Sequence, residues 1–260
     1  MGNYLGDIWR CRYFWLSLVR MDLRTRYRRS VLGVGWSLLH PLAMTAILCF
    51  VFHRIFKTDI ADYGPYLLSG LACWQYLLQS TVQGCQCFFQ GQAYIRQCPV
   101  PLAVYPLRTV LGCTIHFLIA LGITILLTGL LRGFAEPLAL ISLAPSLALM
   151  FVLVWSLATV AGFATVLFQD TQHLAEVAFQ ILFYATPIIY TPAILKEHQL
   201  DWLMRVNPVV PLLCLFRDPI WLGRFPEPAT YAAAAATVLA TASLACLVLH
   251  LLQRRLIYYL

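Results

Sequence analysis

The chain has 260 residues, of which 61% are hydrophobic and only 11% charged, and it carries a net charge of +7. Soluble domains hold about 25% charged residues, so this composition excludes a water-soluble globular enzyme. Of the eighteen cations only Lys57 and Lys196 are lysines, and neither follows a glycine. That excludes the Gly-Lys-Ser/Thr of a nucleotide-binding P-loop.

The first elements are polar and basic. Tyr4 to Arg20 has partial helical periodicity, with Leu5, Ile8, Trp9, Trp15, Leu16 and Val19 on one arc. This pattern predicts an amphipathic helix in the cytoplasmic leaflet, with Arg12 spoiling the apolar arc unless it snorkels. The stretch is too arginine-rich for a signal peptide. A cationic cluster, Arg24, Arg26, Arg28 and Arg29, then abuts the first apolar segment. Two readings stay open. The arginines anchor a helix end against anionic lipid, or their guanidinium forks grip a phosphate-bearing lipid substrate. Nucleic acid is not an expected partner, because the basic run is one short juxtamembrane patch.

A membrane helix needs about 20 apolar residues. Uncharged windows of that order run from Ser30 to His53, Tyr63 to Ile95, Thr109 to Leu131, Pro137 to Gln169, Val177 to Leu195 and Pro228 to Gln253. They predict an all-α integral membrane protein with six spans, the two longest windows leaving room for re-entrant or tilted pieces. Tyr231 and the five alanines after it offer small residues for close helix approach. The arginine distribution places both termini in the cytoplasm, since the outer-side cations Arg54, Lys57, Arg132, Lys196, Arg205, Arg217 and Arg224 are offset there by acids. Between spans five and six, residues 196–228 are rich in proline yet strongly apolar. Short re-entrant or amphipathic helices at the outer face fit that composition better than a plain loop.

Nine cysteines stand mostly among apolar neighbours and read as small hydrophobes. His40, His116, His173 and His250 share no ligand spacing, so no metal site is expected. Asp170 and Glu176 are acids at span boundaries, read either as proton-coupling groups or as structural partners for the N-terminal arginines. The aromatic residues belong by default to interfacial belts and helix packing. Near the outer ends of spans, Tyr63, Tyr66, Trp74, Tyr76, Phe183, Tyr184 and Tyr190 are alternatively candidates to line a path through the bundle.

The run Arg24-x-Arg-Tyr-Arg-Arg-Ser-Val-Leu-Gly33-x-x-Trp36-Ser-Leu-Leu-x-Pro41 resembles the signature of membrane permeases of ABC exporters for lipid-linked polysaccharides. These belong to the type-2 ABC permease group, whose members export O-antigen, teichoic acid and capsular chains. Tyr94-Ile-Arg-Gln-Cys-Pro-Val-Pro101, Asp170, Thr186-Pro-Ile-Ile-Tyr190, and Asn207-Pro208 with Arg217 match further family segments in order. Gln97, Val100 and Gln169 depart from the pattern, and the C-terminus after Arg254-Arg255 is short.

The resemblance implies one permease domain over residues 1–260, with the interface helix and basic cluster in 1–30 and the six-span bundle in 31–260. It implies a homodimer with two copies of a separate ATPase subunit, which would bind the ATP and Mg, no cofactor belonging to this chain. It also implies no catalysis by the chain itself. The cargo would be a polyprenyl-diphosphate-linked polysaccharide, most closely of O-antigen type, crossing a bacterial inner membrane. The Arg24 to Arg29 cluster would hold the diphosphate. Gln92, Tyr94, Ile95, Arg96, Pro99 and Pro101 would dock on the ATPase, the alternative being a plain connection. Other readings of the chain are a type-2 permease for a drug or small lipid, and a membrane enzyme acting on polyprenyl phosphates. The latter lacks the paired acids that hold Mg²⁺.

Overall fold

A computed structural model describes residues 2–28, 35–56, 59–97, 100–134, 136–192 and 201–253, with the single positions 195, 199 and 256. Arg29, Gly33, Lys57, Pro99, Lys196, Arg254 and Arg255 lie outside the described residues. All regular elements among the described residues are helical.

The N-terminal stretch forms two helices instead of one, α1 (Gly2–Arg10) and α2 (Arg12–Tyr27), broken at Cys11. Ile8, Leu18 and Val19 are buried, whereas Trp9 and Tyr13 are 65% and 74% exposed. Arg12 resolves its conflict with the apolar arc locally. Its guanidinium lies 5.6 Å from the Trp9 ring centroid and 4.7 Å from that of Tyr13, and it donates to the Trp9 carbonyl at 3.4 Å. The aromatic faces replace part of the hydration that the charge would lose at an apolar surface.

The bundle follows: α3 (Trp36–Phe56), α4 (Ile60–Cys85), α5 (Cys87–Gln97), α6 (Val104–Leu131), a 3₁₀ turn (Pro137–Ser142) leading into α7 (Leu143–Leu167), and α8 (Thr171–Ala185). Next come α9 (Asp201–Val206), α10 (Val209–Arg217), one π-helical turn (Asp218–Leu222) and α11 (Pro228–Leu252). Among the described residues, three units are long and apolar enough to cross a bilayer: Val104–Leu131, Pro137–Leu167 and Pro228–Leu252. In α3 the apolar stretch is the shorter Pro41–Phe52. At 15 residues, α8 is about 22 Å long at 1.5 Å per residue, less than a bilayer core.

The long window Tyr63 to Ile95 is two helices. Asp59 starts α4 by accepting the Ala61 N–H at 3.4 Å, and α5 turns away after Gln86. At the centre, α4 packs against α3, α6, α7, α8 and α10. Its tightest crossing is with α7. A Cβ on Gly84 would stand 2.7 Å from the Ala158 Cα, and one on Gly162 would stand 2.8 Å from the Cys87 Sγ. Glycine is required there because two backbones meet, and close approach replaces the hydrophobic drive that lipid does not supply. Of the alanine run in α11, only Ala234 is buried.

Polar side chains tie both ends of the bundle. At one end Arg108 of α6, 8% exposed, holds the Asp22 carboxylate of α2 with two parallel hydrogen bonds. At the other end Arg132 pairs with Asp62 at 2.7 Å and donates to the Trp221 carbonyl at 3.0 Å, and the Trp221 indole donates to the Asp62 carbonyl at 3.1 Å. The segment after α8 places α10 inside the bundle, with Leu212, Leu213, Leu215 and Phe216 buried against α4, α7 and α11.

Candidate functional site

A groove of about 330 Å³ lies between three helices. Its walls are Pro41 and Met44 of α3, Leu71, Trp74, Gln75 and Leu78 of α4, and Glu176, Phe179, Gln180, Phe183 and Tyr184 of α8. Helical spacing makes this possible: Leu71, Trp74, Gln75 and Leu78 repeat at three and four residues, as do Glu176, Phe179, Gln180 and Phe183, so each set forms one face. Trp74 anchors an aromatic wall, its ring centroid 5.7 Å from Phe179 and 5.4 Å from Phe183, with Phe183 5.5 Å from Tyr184. No residue of α8 is buried, and the groove is open along that helix.

A line of amides runs beside the aromatics. Gln86 donates to Gln172 at 2.7 Å, and Gln172 donates to Glu176 at 3.1 Å, with His173 3.6 Å from the same carboxylate. On α4, Gln79 reaches Gln75 at 3.5 Å. Neither Glu176 nor Asp170 makes an ion pair with an arginine among the described residues. Among the described residues, the N-terminal ion pairs are Arg10 with Asp7 at 3.6 Å, and Asp22 of α2 with Arg108 of α6.

Beyond the groove, α8 ends in the Thr186–Tyr190 segment, whose freed carbonyls are captured by side chains. Tyr63 donates to Ile189 O at 2.6 Å, and Tyr66 to Pro187 O and Tyr190 O, each at 2.8 Å. Arg217, read from the sequence as an outer-loop cation, is instead 5% exposed. It donates to Pro187 O at 2.5 Å and Ile188 O at 3.1 Å, and its guanidinium lies 3.8 Å from the Tyr66 ring centroid. A Cβ on Gly70 would collide with that guanidinium. Asn207 donates to the Thr186 hydroxyl at 2.8 Å and accepts the Val209 N–H at 2.9 Å. Non-helical backbone inside a bundle persists only where its polar groups are satisfied by protein, and here three side chains satisfy it. Beside this segment Asp218 pairs with Arg224 at 3.6 Å. Burial pushes the Asp218 carboxyl up, partly offset by that arginine.

The path candidates therefore separate. Phe183 and Tyr184 line the groove, and Trp74 backs it while itself buried in the core at 3% exposure. Tyr63 and Tyr66 are buried at 2% exposure and hold the Thr186–Tyr190 segment, in which Tyr190 donates to the Tyr184 carbonyl at 2.7 Å. Tyr76 is buried too, stacked 4.5 Å from Phe117 and bonded to the Thr114 hydroxyl at 2.8 Å. Sequence reading missed Gln75, Phe179 and Gln180, although their four-residue spacing to Gln79, Phe183 and Glu176 was a usable signal.

Of the basic cluster, Arg24, Arg26 and Arg28 are exposed on and just beyond α2. Within α2, Arg26 is in electrostatic reach of Cys113 and His116 of α6. The candidate coupling residues gather at the same end. In α5 Ile95 is buried, Gln92 and Tyr94 are half-buried and Arg96 is exposed, and Pro101 is half-buried beyond it. The Tyr94 ring meets Phe14 of α2 edge-on at 5.7 Å, and the Ala103 N–H donates to the Tyr4 hydroxyl of α1 at 3.3 Å. The N-terminal helices and the α5–α6 connection thus form one continuous surface.

Known proteins are similar to this chain in sequence. Two Klebsiella pneumoniae proteins named O-antigen export system permease protein RfbA are each 25% identical over 202 residues, 77% of this chain and 77% of theirs. A Myxococcus xanthus protein of the same name is 25% identical over 250 residues, 92% of this chain and 93% of its own. The ABC-2 type transporter family matches residues 13–221, and the chain belongs to that family of membrane permeases.

Proposed function

We propose that the chain is the membrane subunit of an exporter for polyprenyl-diphosphate-linked polysaccharide of O-antigen type, driven by a separate ATPase. Two copies form the conduit and two ATPase subunits bind the ATP and Mg. In this reading the spans are α3, α4, α6, α7, α8 with the segment after it, and α11. The helices between α8 and α11 are re-entrant at the outer face, and both termini lie in the cytoplasm of an inner membrane. The observation that carries the reading is the groove between α3, α4 and α8. Aromatic faces stack on the C–H faces of sugar rings, and amides meet hydroxyls as both donor and acceptor. Neither demands a fixed sequence of sugars, which suits a polymer that must slide.

Arg24, Arg26 and Arg28, with Arg29 next in the sequence, hold the diphosphate at the cytoplasmic leaflet, and the α1–α2–α5 surface receives the ATPase stroke. The test is export itself. Phe183→Ala combined with Tyr184→Ala is expected to cut surface polysaccharide by about tenfold while leaving the amount of membrane-inserted protein unchanged, because losing two stacking faces removes roughly 1.4 kcal/mol or more. Unchanged surface polysaccharide would refute the groove as the path.

A further inference from the structure

Resting on the reading of the groove as the glycan path, we propose that it selects chains of uncharged, hydroxyl-bearing sugars over anionic polymers, and that Glu176 sets this choice. The described lining contains one formal charge, the Glu176 carboxylate, and no lysine or arginine. Its polar groups besides that acid and the Tyr184 hydroxyl are the Trp74 indole N–H and the carboxamides of Gln75 and Gln180. The amide series continues through Gln79 on α4 and Gln172 on α8, closed by the Gln86–Gln172 bond. An amide offers two donors and an acceptor and fits a hydroxyl of either orientation, but it gives a carboxylate or phosphate no compensating charge.

Among the described residues, the cations that would offset an anionic polymer lie elsewhere. Arg24 and Arg26 project from α2, which packs on α6, whereas the groove opens among α3, α4 and α8. The described group that opposes Glu176 is His173, whose side chain is 79% exposed. Charge is thus divided between two places: the basic helix faces the one part of the cargo that is always anionic, its diphosphate, and the groove faces the part that is not. Two other occupants fit less well. A second copy pressing its own α8 here would bring two Glu176 carboxylates together, and a lipid tail would leave Gln75, Gln180 and the carboxylate without partners.

The experiment uses the full chain in nanodiscs and two fluorescent probes of equal length, an oligomannoside and an oligosialic acid. The unaltered chain is expected to bind the oligomannoside about fivefold or more tighter at low salt, the difference shrinking as salt rises, as for one unit charge acting over a few ångströms of partly aqueous space. Glu176→Gln is expected to bring the two affinities together, Glu176→Lys to reverse their order, and Gln180→Glu to widen the gap. If the unaltered chain binds both probes equally, or Glu176→Lys leaves the ratio unchanged, charge selection fails while the glycan path stands. If neither probe binds, or binding ignores Tyr184→Ala, the path reading itself fails. Efficient copy-to-copy cross-linking of Glu176→Cys in the presence of the oligomannoside would place a second copy in the groove and overturn the proposal.

Discussion

The two ends of α8 obey opposite rules. Where the helix ends, Arg217, Tyr63, Tyr66 and Asn207 converge on six residues of backbone, and Arg217 and Tyr66 are almost fully enclosed. Where it begins, Gln172 and Glu176 bond only to neighbouring polar side chains, and the face above them is open. The contrast shows how a short helix that touches so little can hold its place. Fixing the break after Ala185 positions α8 against α4 and α7, and the rest of its surface is left for something other than folding. One end is built for stability and the other for contact with a moving partner.

If that division holds, substitutions at the fixed end must cost stability and those at the open end must not. The largest effect is expected for Arg217→Ala, about 4 kcal/mol, from buried carbonyls left without donors, a lost cation–π contact and a cavity. Thermal unfolding of purified protein in detergent reads this as a large fall in midpoint. Gly84→Ala, which forces α4 off α7 at a point where backbone meets backbone, is expected to cost about 2 kcal/mol in the same assay. Asp22→Asn leaves the Arg108 guanidinium beside a neutral partner. Because Asp22 is itself 39% exposed, the loss is expected to be only about 1–2 kcal/mol. Glu176→Gln, at the open end, should shift the midpoint least, by roughly 0.5 kcal/mol or less, yet change which glycan is bound. A Glu176→Gln protein as unstable as Arg217→Ala would erase the distinction between the two ends.

The sequence made the class of the fold legible, because sustained apolar windows have no other stable home. It misplaced elements wherever a charge lay inside a helix. A rule that ends spans at charges starts the fifth at Val177, but α8 begins at Thr171 and runs through Glu176, whose carboxylate faces an open polar groove. The same rule starts the second span at Tyr63, whereas α4 begins at Ile60 with Asp59 as its cap. The turn at Gln86 is marked by no proline and no glycine at the break itself, so only packing reveals it. The hardest residue to read was Arg217. An arginine flanked by prolines looks like a solvated loop cation, and nothing local announces that a tyrosine and a glycine over 140 positions earlier prepare its pocket. Among the aromatics, composition alone could not separate Phe183 and Tyr184 from Tyr63, Tyr66 and Tyr76, because one helix turn decides whether a ring lines a groove or fills a core.

The most direct test of the path is a photo-crosslinking amino acid installed at position 184, in cells that are exporting polysaccharide. The account predicts a glycan adduct at this position that disappears when the partner ATPase is inactivated, with none from position 232, which is exposed on α11 away from the groove. Equal labelling from both positions, or an adduct that persists without ATP turnover, would contradict it.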